Sequence, residues 1–431
     1  MIYILFVSII LILILAFYFN KKDLISPWFV VSFMFLIATL IAILNQNKWN
    51  TDISGITLLV IIISLICWGV GDILATTILP SKVKKYEPRN EIVISNFVLI
   101  LLSCFMLYIL YLYFKYIHNV ASYGSGSLKN FVDVLSAARF ALHNLSIDVS
   151  MGIILSQGLV ISKAFTYIII FIIIYNFLFF KKFYVFYMLP IIIYFFQTIV
   201  STGRIDFLRL SIYVIFIFLI ISKIKSGWRK NNNIKIFKIG ISGLILISIL
   251  FYILGNFTGK TSSYSFIDTI SIYIGSPIIT FDYFLNGHMP SHELFGQETL
   301  YNVYNFLRNF NSEIPVYSMP LEFYNLNGFD TNIYTALRRY ISDYSYVNTF
   351  IIVFFIGFIY KIGLQYVKKS NNFFVLIIYS MYFFPVVEFA SEERFLINIL
   401  SINTVYIFIY MSFFYYILIY KRIRLKVRRI G

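Results

Sequence analysis

Apolar runs long enough to cross a hydrocarbon layer of about 30 Å recur along nearly the whole chain. They are interrupted once at length, by a polar and aromatic stretch between Asn256 and Tyr346. Inside hydrocarbon every backbone N–H and C=O must find its partner within the segment, which leaves helices as the economical solution for runs of this kind. The composition agrees: 60% of the 431 residues are hydrophobic and 13% are charged, against about 25% charged in soluble domains. The expected fold class is therefore all-α, a polytopic integral membrane protein forming one membrane domain over residues 1–431. Spans are expected at about 2–19, 26–44, 55–79, 92–114, 152–180, 184–201, 205–222, 236–255, 347–364, 372–390 and 396–419, eleven in all. The run from Ile2 to Phe19 has no basic leader and no small-residue cleavage site, so it is expected to stay as the first span.

The net charge of +16 would suit a nucleic-acid partner, but most of the Lys and Arg cluster in short loops between spans. That is the signature of membrane topology, and a nucleic-acid partner is not expected. The basic loops alternate. Lys21–Lys22, Lys82–Arg89, Lys181–Lys182, Lys223–Lys238, Lys361–Lys369 and the tail Lys421–Arg429 fall on one side, which the positive-inside rule makes cytoplasmic. The N-terminus is then outside and the C-terminus inside. The outer side carries the loop 115–150, the turn Ser201-Thr202-Gly203-Arg204, the large loop 256–346 and the turn Ser391-Glu392-Glu393-Arg394. Within the large loop, Leu300–Phe310 has helical apolar spacing and is expected to lie in the interface. Phe266–Leu285 is nearly apolar enough to span, but Gly275-Ser276-Pro277 at its centre favours a re-entrant or interfacial segment. Cys67 and Cys104 lie in apolar runs, fit no metal-ligand spacing, and read as packing residues.

Arg204 is the sharpest candidate for chemistry, because its short turn forces it to the outer end of two adjacent spans. A guanidinium there needs a partner or an anion. One reading pairs it with Asp206, and the other gives it a phosphate held by bidentate hydrogen bonds. Arg209 follows about a turn deeper. Arg338 and Arg339 precede the next span, where a helix would put Tyr334 on the face of Arg338 and let Asp343 pair with Arg339. The plainer alternative is an interfacial helix with ordinary ion pairs. Arg139 and Arg394 add to an outer surface that is cationic at the bilayer boundary. Glu388, Glu392 and Glu393 are candidates to take a proton from a hydroxyl. His288 and His292 mimic a metal pair in spacing, yet without further ligands they read as solvated loop residues, and no metal site is expected. Asp72 falls near the inner end of its span. No zinc motif, phosphate-binding glycine loop, nucleophile elbow or dinucleotide fingerprint is present, and no cofactor is expected.

Three of these stretches resemble a known family. The turn Ser201–Arg204 opening a span, Asn332-Ile333-Tyr334-Thr335 with Arg338 and Asp343 before the next span, and Tyr273-Ile274-Gly275-Ser276-Pro277 followed by Phe281-Asp282 are similar to bacterial oligosaccharide repeat-unit polymerases, the Wzy-type O-antigen and capsule polymerases. The resemblance implies metal-independent glycosyl transfer at the outer face of the bacterial plasma (inner) membrane. Its partners would be undecaprenyl-diphosphate-linked glycans, membrane lipids and a chain-length regulator protein. It points to catalytic roles for Arg204, Arg338, Asp343 and Glu392, and to substrate contacts from Arg139, Arg209, Asn332, Tyr334, Arg339 and Arg394. The chain departs from the family pattern twice. An Arg-x10-Gly loop motif is absent, since the first glycine after Arg139 is Gly152, and an expected Asp-Phe-Gly run reads Asp343-Tyr344-Ser345. Thr331 stands where related ligases carry a histidine, which favours polymerase over ligase. The competing expectation is a lipid-linked oligosaccharide flippase or other membrane transporter, whose charges would line a central cavity open to both sides.

The charge alternation has a direct test. A reporter fused near Gln297 should behave as extracytoplasmic and one near Asn232 as cytoplasmic. Cytoplasmic activity at Gln297 would move every candidate residue to the other side.

Overall fold

The computed structural model describes residues 1–80, 83, 86, 88, 90–124, 128–143, 149–228, 233–257, 264–287, 292, 294–315, 320–370 and 372–421. The helices in order are α1 (Ile2–Phe19), α2 (Pro27–Leu44), α3 (Gln46–Trp49), α4 (Gly55–Ile78), α5 (Asn96–Ala121), α6 (Phe131–His143), α7 (Ile153–Phe180), α8 (Met188–Val200), α9 (Ile205–Lys225) and α10 (Asn233–Phe257). They continue with α11 (Phe266–Leu285), α12 (Tyr301–Leu307), α13 (Ala336–Lys369), α14 (Phe373–Met381), α15 (Phe384–Glu388), α16 (Leu396–Ile399) and α17 (Ile402–Tyr415), which runs on through a π turn, Tyr416–Tyr420. The protein is a helical, multi-pass membrane protein: among the described residues nine helices are long and apolar enough to cross a membrane. Two shorter apolar helical stretches, Val185–Val200 and Phe373–Glu388, accompany them.

Several boundaries differ from those expected. The fourth run starts at Asn96 and continues to Ala121 instead of covering 92–114, because Ile92 and Ile94 are held as extended chain by Asn176 and Tyr187. The loop 115–150 contains a helix of its own, α6, packed on α5 around Leu135 and Ala138. The run 372–390 breaks between Met381 and Phe384, just before Pro385 at the start of α15. Leu300–Phe310 shortens to α12. The stretch after it holds an antiparallel hairpin, β1 (Tyr324–Leu326) with β2 (Phe329–Thr331), turning through Asn327 and Gly328, both at positive φ. Asn-Gly between short apolar runs is the strongest local hairpin signal, and the all-α expectation passed over it.

The core of the bundle is α4 against α13. A Cβ on Gly71 would lie 2.2 Å from the Phe354 carbonyl oxygen, so the backbones approach as closely as glycine allows. Beside that contact the ring of Trp68, fully buried, stacks on Tyr360. Asp268 and Asp282, near opposite ends of α11, both reach the short segment joining α2 to α4. Asp268 pairs with Lys48 at 2.5 Å, and Asp282 accepts from Ser54 N at 2.7 Å and Thr57 Oγ1 at 2.6 Å. A 20-residue helix is about 30 Å long, so α11 lies across one end of the bundle. There Thr280 donates to the Ile333 carbonyl, and Ser276 and Thr331 share a hydrogen bond of 3.2 Å, tying α11 to the hairpin and to the start of α13. That end, called here the site end, also holds the start of α9.

Helix α13 is broken at Ser345, whose φ of 64° and ψ of 176° are not helical. Thr349 answers the break by donating its hydroxyl to the Ser345 carbonyl at 2.7 Å. The break aims Arg338–Asp343 at the site end while Tyr346–Lys369 continues into the bundle. This backbone region is essentially reserved for glycine and costs a serine on the order of 1–3 kcal/mol. Replacing Ser345 by Gly should therefore raise the melting temperature in detergent or leave it unchanged, whereas Ser345→Val should lower it clearly.

Candidate functional site

The turn before α9 places Thr202 at a φ of 57°, and Ser201 Oγ donates to the Gly203 carbonyl at 3.1 Å, closing the chain sharply before Arg204. Arg204 is buried at the head of α9. Its expected pairing with Asp206 does not form. Nη1 donates to the Phe251 carbonyl at 3.2 Å, Nη2 donates to the Tyr273 hydroxyl at 2.8 Å, and the guanidinium lies over both rings, 4.1 Å and 5.1 Å from their centroids. A Cβ on Gly255 would come within 2.7 Å of Nη1, so the glycine leaves room for the side chain. Asp206 turns instead to Lys163 at 3.0 Å and Arg209 at 3.8 Å. Helix α6 brings Arg139 into electrostatic range of both Arg204 and Tyr273. No carboxylate pairs with Arg139 or Arg204 among the described residues. Buried Arg204 and partly buried Arg139 therefore lie in electrostatic range of each other with no carboxylate counter-charge among the described residues.

The neighbouring part of the layer is paired. Arg209 donates to Asn398 Oδ1 at 2.8 Å and lies over the Phe384 ring. Arg394 pairs with Glu392 and lies 3.5 Å from Glu388, and its charge also acts on Asp206. The three glutamates that were equivalent in the sequence now differ. Glu393 accepts from the Tyr340 hydroxyl and from the backbone N–H groups of Phe395, Leu396 and Ile397, so it caps α16, and burial pushes its pKa up against those donors. Glu388 is buried, and its Oε1 has no hydrogen-bond partner among the described residues. Glu392, with its side chain 33% exposed, is the most accessible of the three.

A third group gathers at the start of α13. Tyr334 lies before the helix rather than on its face, because α13 begins after Thr335. Its ring still packs against the Arg338 guanidinium, and its hydroxyl donates to the Glu322 carbonyl at 3.2 Å. Arg338 is 1% exposed and clamped by two carboxylates, Glu298 and, at 2.8 Å, Glu322. Arg339 reaches Glu298 at 3.4 Å. The expected Arg339–Asp343 pair is absent: Asp343 accepts from the backbone of Glu298 at 3.1 Å and Thr299 at 2.8 Å, and from the Thr299 hydroxyl at 2.7 Å. Asn332 lies half-buried between β2 and α13. His292 is not a solvated loop residue. Its side chain is 11% exposed, with Nε2 3.0 Å from Glu298 Oε1 and 2.5 Å from Ser342 Oγ. His288 lies outside the described residues, and among those described no group of His, Cys, Asp and Glu could hold a metal ion.

The structure thus gathers the arginines singled out in the sequence into two groups at the site end: Arg139 and Arg204 about Tyr273, and Arg209, Arg394, Arg339 and Arg338 linked through Asp206, Glu388, Glu392 and Glu298. Sequence reasoning missed Glu298, Glu322, Lys163 and Phe251, and noted Tyr273 only within its motif. Lys163 alone carried a signal, as a lone cation inside an apolar run.

Two groups in this layer make its stability depend on pH. Burial would raise the Glu298 carboxyl, but His292, Arg338 and Arg339 overcome it and hold the pKa at about 2, below the usual 4.5. Its contribution is complete above pH 4.5 and is lost as pH falls toward 2. The hydrogen bond to Glu298 lifts His292 above 6.5 despite its burial, so the imidazolium contributes fully below pH 6.5, and that contribution is lost as pH rises past the lifted value. Thermal stability should be highest between these limits. Glu298→Gln should flatten the acid limb and His292→Gln the alkaline limb; an unchanged alkaline limb in the His292 variant would remove the imidazolium from this account.

No protein-family model matches the chain, and neither curated proteins nor solved structures give a match.

Proposed function

We propose that the chain joins undecaprenyl-diphosphate-linked repeat units into O-antigen or capsular polysaccharide at the outer face of the bacterial plasma membrane. The observation that carries this reading is buried Arg204 with partly buried Arg139 in electrostatic range of it, at one end of a membrane bundle and with no carboxylate partner for either among the described residues. Like charges held close in a low-dielectric site repel, and a phosphate or diphosphate supplies the missing anion with geometry suited to guanidinium donors. In the proposed reaction a hydroxyl of the incoming unit attacks the anomeric carbon of the lipid-linked chain. The bond from that carbon to the diphosphate oxygen breaks, and its electron pair leaves with the diphosphate, stabilised by Arg204 and Arg139. The hydroxyl proton passes to Glu392, the accessible glutamate of the layer, which Arg394 orients. Phe251 and Tyr273 fix the plane of Arg204 before substrate arrives, so no reorganisation is needed as charge develops.

Other features support the reading. Among the described residues, the nine long helices and two shorter apolar stretches are compatible with eleven spans. Helices α11 and α12 and the hairpin lie at the site end, as a large outer loop with interfacial segments would require. The position where the family pattern carries Gly is Ser345, whose backbone is in a conformation that favours glycine. The transporter reading has one observation in its favour: a second set of buried charges, Asp72 with Lys361 and Asp23 with Lys368 and Lys223, at the other end of the bundle.

Products separate the two. Cells lacking the protein should display single repeat units outside if the chain is a polymerase, and should trap them inside if it is a flippase. Purified protein given lipid-linked repeats in detergent should yield a ladder of longer products without metal or nucleotide. Arg204→Ala or Arg204→Lys should lower the rate by on the order of 10²–10³, the scale of a lost oxyanion donor, because Lys lacks the planar fork. A full-length ladder from either variant would make Arg204 structural.

A further inference from the structure

The Glu298 carboxylate occupies a position built like an anion site. Arg338 and Arg339 reach it from successive positions of α13, Ser342 donates to its Oε1 at 2.9 Å, and His292 Nε2 lies 3.0 Å from the same oxygen. Arg338, Arg339 and Ser342 stand in the first two turns of α13, where the helix dipole also favours negative charge. Arg338 has a second carboxylate, Glu322, on its other edge, and its buried Nε has no hydrogen-bond partner among the described residues. Four side-chain donors, two of them guanidinium groups, are more than one carboxylate of an internal ion pair requires. They match the three oxygens and higher charge of a phosphate.

We propose that Arg338, Arg339, Ser342 and His292 form a second phosphate-binding site, closed in this conformation by the side chain of Glu298. The backbone is not required to move. Asp343 holds the N–H groups of Glu298 and Thr299 in place, so the carboxylate leaves by rotation about its own side-chain bonds while the segment stays fastened. The exchangeable anion is reached past Glu322, whose side chain is 38% exposed, whereas that of Glu298 is 11% exposed. The depressed Glu298 pKa fits a site that holds an anion tightly. The ligand class is a phosphate or diphosphate group, on a lipid or free. Only its identity as the diphosphate of a second lipid-linked unit rests on the polymerase reading, and the binding test does not depend on that.

The test uses the purified full-length chain in detergent, carrying Arg204→Ala to silence the first anion site, with pyrophosphate as the probe in titration calorimetry. Adding Glu298→Ala should tighten pyrophosphate binding at least about tenfold, and adding Arg339→Gln should abolish that gain. Glu298→Gln, which keeps the shape and removes the charge, should give a smaller gain in the same direction. Repeating the titration with a lipid-linked diphosphate in place of pyrophosphate separates the two sources: a larger gain with the lipid assigns the site to a carrier headgroup, an equal gain to free phosphate. Folded Glu298→Ala and Glu298→Gln proteins with no gain would overturn the proposal. So would failure of both to fold, because a stopper must be removable, and so would equal binding of glucuronate, which would make the site a carboxylate site.

Discussion

A charge carried into the interior of a membrane bundle costs several kcal/mol unless another charge or a set of hydrogen bonds answers it. Apart from Arg204 and Arg139, the buried charges described below obey that constraint at both ends of the bundle. At the end away from α11, Lys361 meets Asp72 at 2.9 Å with Ser26 and Asn20 around it, and Asp23 is held by Lys368 at 2.7 Å and Lys223 at 3.8 Å. At the site end, Asp206, Arg209, Arg394 and Arg338 are each answered by neighbours. Arg204 makes do with a carbonyl, a hydroxyl and two aromatic faces, and Arg139 stands beside it. The balance fails at that point, and a phosphate there would restore it.

Helix α13 links the two ends. Its first turns carry Arg338, Arg339, Ser342 and Asp343, the break at Ser345 sets their direction, the middle packs against α4 with no gap at Gly71, and its last turns carry Lys361 and Lys368. The close α4–α13 contact fixes this helix along its length, so the break is the place where its two halves are oriented relative to each other. The strained serine is held there by packing on both sides. Asp343 serves this arrangement as a fastener for the Glu298–Thr299 segment.

Much of the fold was legible because hydrocarbon leaves the backbone few choices. The runs from Ile2, Pro27, Gly55, Ile153 and Ile205 begin within a residue or so of where hydropathy puts them. The misses fall where local sequence and tertiary partners disagree. Extended chain at Ile92–Ile94 depends on Asn176 and Tyr187, about ninety residues away, and α6 depends on an apolar face of α5. The hairpin at Asn327-Gly328 was visible in principle and was missed because the membrane pattern dominated the reading.

The sequence by itself determined that this is a helical membrane protein, and it marked Arg204, Arg338 and Arg394 as cations close to span ends, because length, hydropathy and charge act through neighbours in the chain. Only the tertiary structure decided which of those charges are spent. Arg338 looks as available as Arg204 in the sequence, yet Glu298 and Glu322, on two separate segments, both close on it, while Asp206, two residues from Arg204, turns to Lys163. Glu388, Glu392 and Glu393 are near neighbours in sequence and become a buried carboxyl, an accessible one and a helix cap. The reason is physical: a side chain's chemistry is set by what lies within a few ångströms of it, and in this bundle those neighbours come from helices far apart along the chain.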